Sequence, residues 1–532
     1  MEGHPQIPVS PPAIHSVPAK FYNAAADLTE LNLIAGRGNK IAVIDEAGTY
    51  TYGDLAVRVH RCANALRECG LEPGQRVVLC LLDTIDFPVS FLGAIMAGIV
   101  PIPVNTLWTA SDYAFLLADS GAQAAVVSEG RLSVFLEATR VASWKGRILV
   151  SGNEHRAGLP SFSQLLESAL PRSEVHATRA DDICFWLYSS GSTGKPKGAV
   201  HLQPSLMQTA KLFAQNILGL NEHDIVYSAA KLFFAYGLGN SLSFPMSVGG
   251  ASILHSGRPT PAVVNAILRE KRPTIFCGVP TLFSSLLASG NLPRSGEHAL
   301  RFCTSAGEAL PEEVGRAWKN RTGVEIIDGI GSTEMLHIFI SNRPGAVRYG
   351  TTGFPVRGYD VRIVDDSGSE VPRGEIGELQ VKGPTRAAHY WNNPEKTRET
   401  FLGEWLRTGD RFYQDADGAF VHCGRSDDML KVGGLWVSPT EVESALICHP
   451  AVLEVAVVGA ADENNLIKPK AFVVLKPDAT PDTKLIHELQ TLVKSKLAPY
   501  KYPRWIEIRD ELPKTATGKL QRFALRNSTE SK

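Results

Sequence analysis

Tyr188-Ser189-Ser190-Gly191-Ser192-Thr193-Gly194-Lys195-Pro196-Lys197-Gly198 follows the apolar, strand-like run Ile183 to Tyr188. Its small residues let backbone N–H groups approach and wrap an anion, while the hydroxyls, Lys195 and Lys197 add donors and positive charge. A flexible Ser/Gly linker is the competing reading, but a linker seldom carries two lysines between strand-like runs. The spacing is not that of the Walker P-loop, because Pro196 stands where a Ser or Thr must hold Mg²⁺. The dinucleotide fingerprint fails as well. Gly329-Ile330-Gly331 runs on into Ser332-Thr333-Glu334, and Gly237-Leu238-Gly239 also lacks the third glycine. The segment therefore reads as a phosphate loop of another kind.

On both sides of this loop, short β-type runs alternate with helical patterns. The runs Arg76–Leu82, Ala124–Ser128, Arg147–Val150, Ile225–Ala229, Ala251–Leu254, Thr274–Cys277 and Glu325–Asp328 predict an α/β fold, with mixed and largely parallel sheets flanked by helices. Thr51 predicts a helix cap for a pattern that ends at Gly70. From about residue 350 to 424 the strand-like runs are separated by turns with little helix, which predicts an antiparallel β-module. Beyond it, Ser438-Pro439-Thr440-Glu441 reads as a capping box, and Leu485–Leu497 as an amphipathic helix. The expected division is a large domain over 1–426 and a small α+β cap over 427–532.

Composition narrows the function classes. The 532 residues are 44% hydrophobic and 20% charged, which is ordinary for globular chains. Lys+Arg total 54 against 55 Asp+Glu, a net charge of −1 that argues against a general nucleic-acid binder and gives no attraction to anionic membranes. The stretch Phe87–Val104 nears spanning length, but Ser90, two glycines and three prolines interrupt it, so a core helix followed by a strand is expected. The start lacks a secretory signal, and the eight scattered cysteines are expected to be reduced and mostly buried, as in a cytoplasmic protein.

Ser190–Gly198 resembles the signature of the adenylate-forming enzymes, which include acyl- and aryl-CoA synthetases, luciferase and peptide-synthetase adenylation domains. Four further segments match in the same order. They are Asp328–Glu334, Arg407-Thr408-Gly409-Asp410, Gly424-Arg425-Ser426-Asp427-Asp428 and Pro513-Lys514-Thr515-Ala516-Thr517-Gly518-Lys519. The resemblance implies a reaction in two halves. A carboxylate attacks the α-phosphate of ATP to give acyl-AMP and pyrophosphate, and coenzyme A then displaces AMP. Because one anion must meet another, charge neutralisation and alignment should dominate.

The same resemblance assigns roles. Lys519 would bridge the carboxylate and the α-phosphate. Thr333 would bond a phosphate oxygen, and Glu334 would help hold Mg²⁺; a simple helix N-terminal charge is the alternative for Glu334. Ser190, Gly191, Ser192, Thr193, Gly194 and Lys195 would cradle ATP, together with Ala306, Gly307, Glu308, Asp328 and Gly329. Asp410 would accept from the ribose hydroxyls, joined by Arg425; a plain turn residue is its alternative. Asp427 takes the hinge position, about which the cap would rotate so that Lys519 can leave before the thiol enters. Gly433 and Gly434 would let the pantetheine arm of coenzyme A pass, with Lys431 assisting, unless the pair is only a turn.

The acid would sit beside Lys231-Leu232-Phe233-Phe234-Ala235-Tyr236-Gly237-Leu238 and Ile330–Phe339. This combination is similar to that of bacterial benzoate–CoA and hydroxybenzoate–CoA ligases. It implies an aromatic acid flanked by Phe234 and Tyr236, with Phe233 in the core. Ala306, Gly331 and His337 would complete the pocket, and a bulky side chain at the small positions would shorten it. His337 is weighed as a donor to the acid's carboxylate against an ordinary structural histidine. Benzoate is the expected substrate, and Tyr236 keeps 4-hydroxybenzoate open. Loading of a carrier protein is a second reading, although no carrier domain follows Lys519. A non-catalytic nucleotide-binding protein is opposed by the presence of Lys519, Glu334 and Asp410. A homodimer is among the open oligomeric states.

Overall fold

The computed structural model describes residues 21–152, 158–189, 196–432, 435–463, 466–514 and 520–530. A nine-stranded sheet forms the centre, ordered Phe354–Pro355, Ile338–Ser341, Ile326–Gly331, Phe302–Ser305, Ile275–Gly278, Ile225–Ser228, Ala251–Ile253, Ile41–Ile44 and Thr49–Thr51. Its inner six strands are parallel and its edges antiparallel. The inner strands are short apolar runs buried on both faces, as helix-covered parallel sheets require. Their register aligns Ser228 with Cys277, Gly278 with Ser305, and Ser305 with Asp328. The carboxyl ends of four strands therefore open onto one crevice, the usual ligand position in such sheets.

A second parallel sheet, ordered Val100–Pro103, Arg76–Cys80, Ala124–Ser128 and Arg147–Ser151, packs beside the first. The interrupted apolar stretch becomes helix Asp86–Met96 and strand Val100–Pro103. A Cβ on Gly93 would lie 2.6 Å from Cys62 Cβ, so only glycine lets this helix sit against helix Tyr52–Glu68. The latter starts at Thr51 with the complete reciprocal cap. No described helix is long and apolar enough to cross a membrane. All eight cysteines are free, seven of them buried.

The strand entering the phosphate loop, Ile183–Ser189, and the one leaving it, Lys197–Leu202, form an antiparallel pair rather than a parallel unit. Trp186 stacks on Trp391 at 4.2 Å, and Trp391 N–H donates to the Gly198 carbonyl at 2.8 Å. The segment around residue 390 is thus fastened to the strand that leaves the loop.

The β-module is a five-stranded sheet of Asp360–Val364, Gly377–Lys382, Trp405–Gln414, Phe401–Leu402 and Phe420–Arg425, antiparallel throughout. The C-terminal part has its own core on strands Val452–Ala461, Ile467–Leu475 and Trp505–Ile508, with helices Pro439–Ile447, Thr483–Lys496 and Arg522–Glu530. Its capping box is only half formed. Ser438 accepts from Glu441 N–H at 3.1 Å, but the Glu441 carboxylate turns away to Lys501 at 2.6 Å. A full opposite charge is a stronger partner than one backbone N–H.

Candidate active site

Asp328 lies on the fourth strand of the crevice, Ile326–Gly331, where its parallel pairing ends, and is 5% exposed. Burial disfavours its charged form and pushes the carboxyl up to about 8. The Ser305 hydroxyl and the Leu310 and Gly329 N–H groups approach the carboxyl and oppose that rise, yet among the described residues Asp328 Oδ1 and Ser305 Oγ make no hydrogen bond of regular geometry. Buried polar atoms without partners are uncommon and suit a ligand that supplies them. Ala306 is buried beside them, Gly307 adopts φ +95°, and Glu308 accepts a hydrogen bond from Leu520 N–H at 2.8 Å. Gly329 is closed in by Ile338 and the Ile340 carbonyl, both 2.9 Å from a would-be Cβ, so its smallness serves strand pairing.

Ser332 to His337 connects two antiparallel strands, Ile326–Gly331 and Ile338–Ser341. No helix begins here, which removes the helix-charge alternative for Glu334. Instead the Tyr390 hydroxyl donates to Glu334 Oε1 at 2.7 Å, and Ala387 N–H donates to the Glu334 carbonyl at 2.7 Å. The fully buried His201 is pushed down to about 4 by desolvation, so its neutral ring donates from Nε2 to the Thr333 carbonyl at 2.9 Å. Lys197 Nζ sits 4.9 Å from the Tyr390 ring centre. Burial lowers the Lys197 pKa while Glu334 opposes the shift. Thr333 and Glu334 are thereby brought next to the cation at the exit of the phosphate loop.

Asp410 is not a turn residue. It lies within strand Trp405–Gln414, 7% exposed, directly across from Arg425. Arg425 Nη1 is 3.2 Å from Asp410 Oδ2, and His422 Nε2 is 3.5 Å from Oδ1. The carboxylate holds the guanidinium pKa above its usual value. Gly409, at φ +73°, leaves room that a Cβ would lose to Arg425 Nη2 at 2.9 Å.

Tyr236 lies on the short helix Ala235–Leu238, its hydroxyl 2.7 Å from Thr304 Oγ1 on a neighbouring parallel strand. His337 packs against Tyr236, Phe213 and Phe244, with ring centres 5.4, 5.4 and 4.4 Å away. Burial pushes His337 down to about 3, so the ring is neutral. Its Nε2 faces the Tyr236 carbonyl at 3.4 Å, while the buried Nδ1 has no partner among the described residues. With the proton on Nε2, Nδ1 offers only a lone pair, so this tautomer cannot donate to a carboxylate from Nδ1. Phe234 is partly exposed against Phe233 at 4.5 Å, and Phe233 is core, 5% exposed. Gly331 has a different reason for being small from the one expected. Its Cβ would meet the His337 carbonyl at 2.4 Å, so backbone rather than cavity fills that space.

Lys431 is exposed on strand Leu430–Val432, opposite Trp436. The Asp427 carbonyl accepts from Arg526 at 2.8 Å. Residues 190–195, Gly433, Gly434 and Lys519 lie outside the described residues. Sequence reasoning missed Tyr390, Lys197 as a neighbour of Glu334, and Thr304. Tyr390-Trp391 is a plain aromatic pair in sequence, and nothing local marks its hydroxyl as a partner for a residue 56 positions away.

The crevice at the strand ends, the phosphate-loop hairpin, the carboxylate of Glu334 and the Asp410–Arg425 pair together define a nucleotide-dependent, adenylate-forming enzyme. The chain belongs to the AMP-binding enzyme family, whose model matches residues 32–391, with the AMP-binding enzyme C-terminal domain over 441–519. It is 57% identical over 521 residues to a benzoate–CoA ligase of Thauera aromatica, covering 98% of both chains. It is 48% identical to a 4-hydroxybenzoate–CoA/benzoate–CoA ligase of Rhodopseudomonas palustris, over 96% of this chain and 95% of that one. Among solved structures, a benzoate CoA ligase from Burkholderia xenovorans LB400 superposes with a TM-score of 0.90 at 51% identity, covering 95% of this chain and 100% of the other.

Proposed function

We propose that the protein joins benzoate to coenzyme A at the expense of ATP, through benzoyl-adenylate, releasing pyrophosphate and then AMP. The observation that carries this reading is the aromatic wall of Tyr236, Phe244 and neutral His337, which packs with Ala306 in one cluster and is tied to the crevice strand Phe302–Ser305 through Thr304. A flat apolar acid fits such a wall, with ring contacts adding about 0.5–1.5 kcal/mol each beyond burial. The Tyr236 hydroxyl is already engaged by Thr304, which favours benzoate over 4-hydroxybenzoate.

In this reading Ser190 to Lys195, with Lys197, hold the phosphates, and Thr333 bonds a phosphate oxygen. Asp328, Ala306, Gly307 and Gly329 line the adenosine and acyl site, Glu308 beside them turns to the Leu520 N–H, and Asp410 with Arg425 takes the ribose. Among the described residues no group of three His, Cys, Asp or Glu suits a metal ion. Mg²⁺ on nucleotide phosphates needs only one or two carboxylates, and Glu334, held by Tyr390, fits that need. The ion would neutralise phosphate charge. Lys519 aligns the carboxylate with the α-phosphate, and Asp427 is the pivot between the body, 1–426, and the cap, 427–532. Lys431, Gly433 and Gly434 serve coenzyme A. We place the enzyme in the cytoplasm, with a homodimer as the assembly to test by sedimentation.

A panel of aryl and short aliphatic acids, given ATP, Mg²⁺ and coenzyme A, tests the reading. Benzoate should give AMP and benzoyl-CoA at the highest kcat/KM, and absence of AMP with every acid would refute it. Lys519→Ala should abolish adenylation yet let supplied benzoyl-adenylate react with coenzyme A; equal loss of both halves contradicts its role.

A further inference from the structure

Glu308 lies in the body three residues past strand Phe302–Ser305, yet its Oε1 accepts from the backbone N–H of Leu520, 212 residues away in the cap. Leu520 directly follows Lys519 in the chain. The cap holds this point of the backbone firmly. Lys514 bridges to Leu520 and pairs with Glu454 at 2.6 Å, and Gln521 N–H donates to the Pro513 carbonyl at 2.9 Å. One residue further, Arg522 forms an ion pair with Glu443 at 2.8 Å, with the two side chains only 14% and 12% exposed. Glu443 is itself fixed by Val457 N–H at 2.7 Å. The Leu520 amide is therefore held in place by its neighbours in the cap, and Glu308 is the body's acceptor for it. Any rotation of the cap away from the crevice breaks this bond, because the two ends belong to different domains.

We propose that Glu308 is a positioning residue that docks the cap for the adenylation half-reaction, acting through the Leu520 amide rather than through the nucleotide. A carboxylate is suited to such a task, since its bond to an N–H is stronger than a neutral one and any acceptor left unpaired is rehydrated when the cap swings out. The bond is made in one arrangement of the domains and absent in the other, so it biases an equilibrium between two states without touching the reacting atoms. This inference rests on Lys519 being the adenylation lysine.

The test uses the full-length enzyme and the variants Glu308→Ala and Glu308→Gln. Hydrogen exchange of the peptide containing Leu520, followed without substrates, should speed up most in Glu308→Ala and less in Glu308→Gln, whose neutral amide oxygen still accepts but more weakly. Benzoate-dependent ATP–pyrophosphate exchange should fall about tenfold or more in Glu308→Ala with KM for ATP within about twofold, and Glu308→Gln should recover most of that loss. Supplied benzoyl-adenylate should still react with coenzyme A. A rise in ATP KM at unchanged maximal exchange rate would make Glu308 a nucleotide contact and overturn the proposal. Equal loss of both half-reactions, or unchanged exchange at Leu520, would overturn it too. Faster exchange at Leu520 in a protein that activates none of the acids would uphold the docking contact and refute the ligase reading instead.

Discussion

The hydroxyl of Tyr390 donates to Glu334 Oε1 at 2.7 Å, tying the one carboxylate of the Gly-Ser-Thr-Glu turn to a segment that is itself anchored on the phosphate-loop hairpin. A hydrogen bond to a charged acceptor contributes about 1.5–3 kcal/mol. Tyr390→Phe should therefore lower the adenylation rate by roughly tenfold or more and raise the Mg²⁺ concentration needed for half-maximal rate. The ring still packs on Phe401, 5.3 Å between centres, so the loss of stability is confined to that hydrogen bond and the melting temperature should fall by only a few degrees. A Mg²⁺ titration identical to wild type would show that Glu334 needs no orienting partner.

Asp328 gives a stability test with a definite sign. Its carboxyl titrates at about 8 in the fold against 3.8 as the ordinary value, so between these limits the native state binds the extra proton and stability falls as pH rises. His201 and His337 act oppositely. Depressed to about 4 and about 3 from 6.5, they stabilise fully above pH 6.5 and lose that contribution as pH falls. Asp83, raised to about 6 by burial, is already ionised above that point. From pH 6.5 to 8, Asp328 is then the titrating buried group among these, and the apo enzyme should lose about 2 kcal/mol of stability. Denaturant midpoints for Asp328→Asn should be flat over that interval. A slope equal to wild type would place the titration elsewhere.

Much of the fold is legible because it rests on local patterns. Short apolar runs became the inner strands, and Thr51 capped its helix as the spacing required. What escaped reading depends on contacts remote in sequence. Glu334 looked capable of starting a helix, but pairing of Gly329 with Ser341 turns the chain back as a strand connection. The capping box at Ser438 lost its second half because Lys501, 60 residues on, outbids the backbone for Glu441. In the site, the five ordered segments are where the resemblance leads one to expect nucleotide chemistry. They do not reveal Tyr390, Thr304 or the Leu520–Glu308 bond, since each joins side chain or backbone across elements that only the tertiary structure brings together.

Gly331 separates a cavity effect from a backbone effect. A Cβ there would stand 2.4 Å from the His337 carbonyl and 2.6 Å from its carbon, neither of which can rotate aside as a side chain does. Gly331→Ala should force the two strands apart at the Ile330–Gly331 irregularity and cost about 1–3 kcal/mol of stability. Activity should fall for benzoate and for smaller acids alike, because the whole Ser332–His337 connection moves. A variant that keeps its melting temperature and merely shifts preference toward smaller acids would restore the cavity explanation.

Asp410 faces Arg425 at 3.2 Å and His422 at 3.5 Å, and its own side chain is 10% exposed while that of Arg425 is 46% exposed. Water reaching the guanidinium limits what the pair adds to folding to about 1 kcal/mol or less. A ribose diol, by contrast, needs an acceptor that takes two hydrogen bonds, and a neutral amide offers a poorer one. Asp410→Asn should thus raise KM for ATP by roughly tenfold to a hundredfold while the melting temperature of the apo enzyme drops by only a few degrees. Replacing ATP with its 2′-deoxy analogue, which keeps one of the two hydroxyls, should produce a smaller loss in wild type and little further loss in the variant, because both changes weaken the same contact. Additive losses would mean that the hydroxyls bind elsewhere and that Asp410 serves only to hold Arg425.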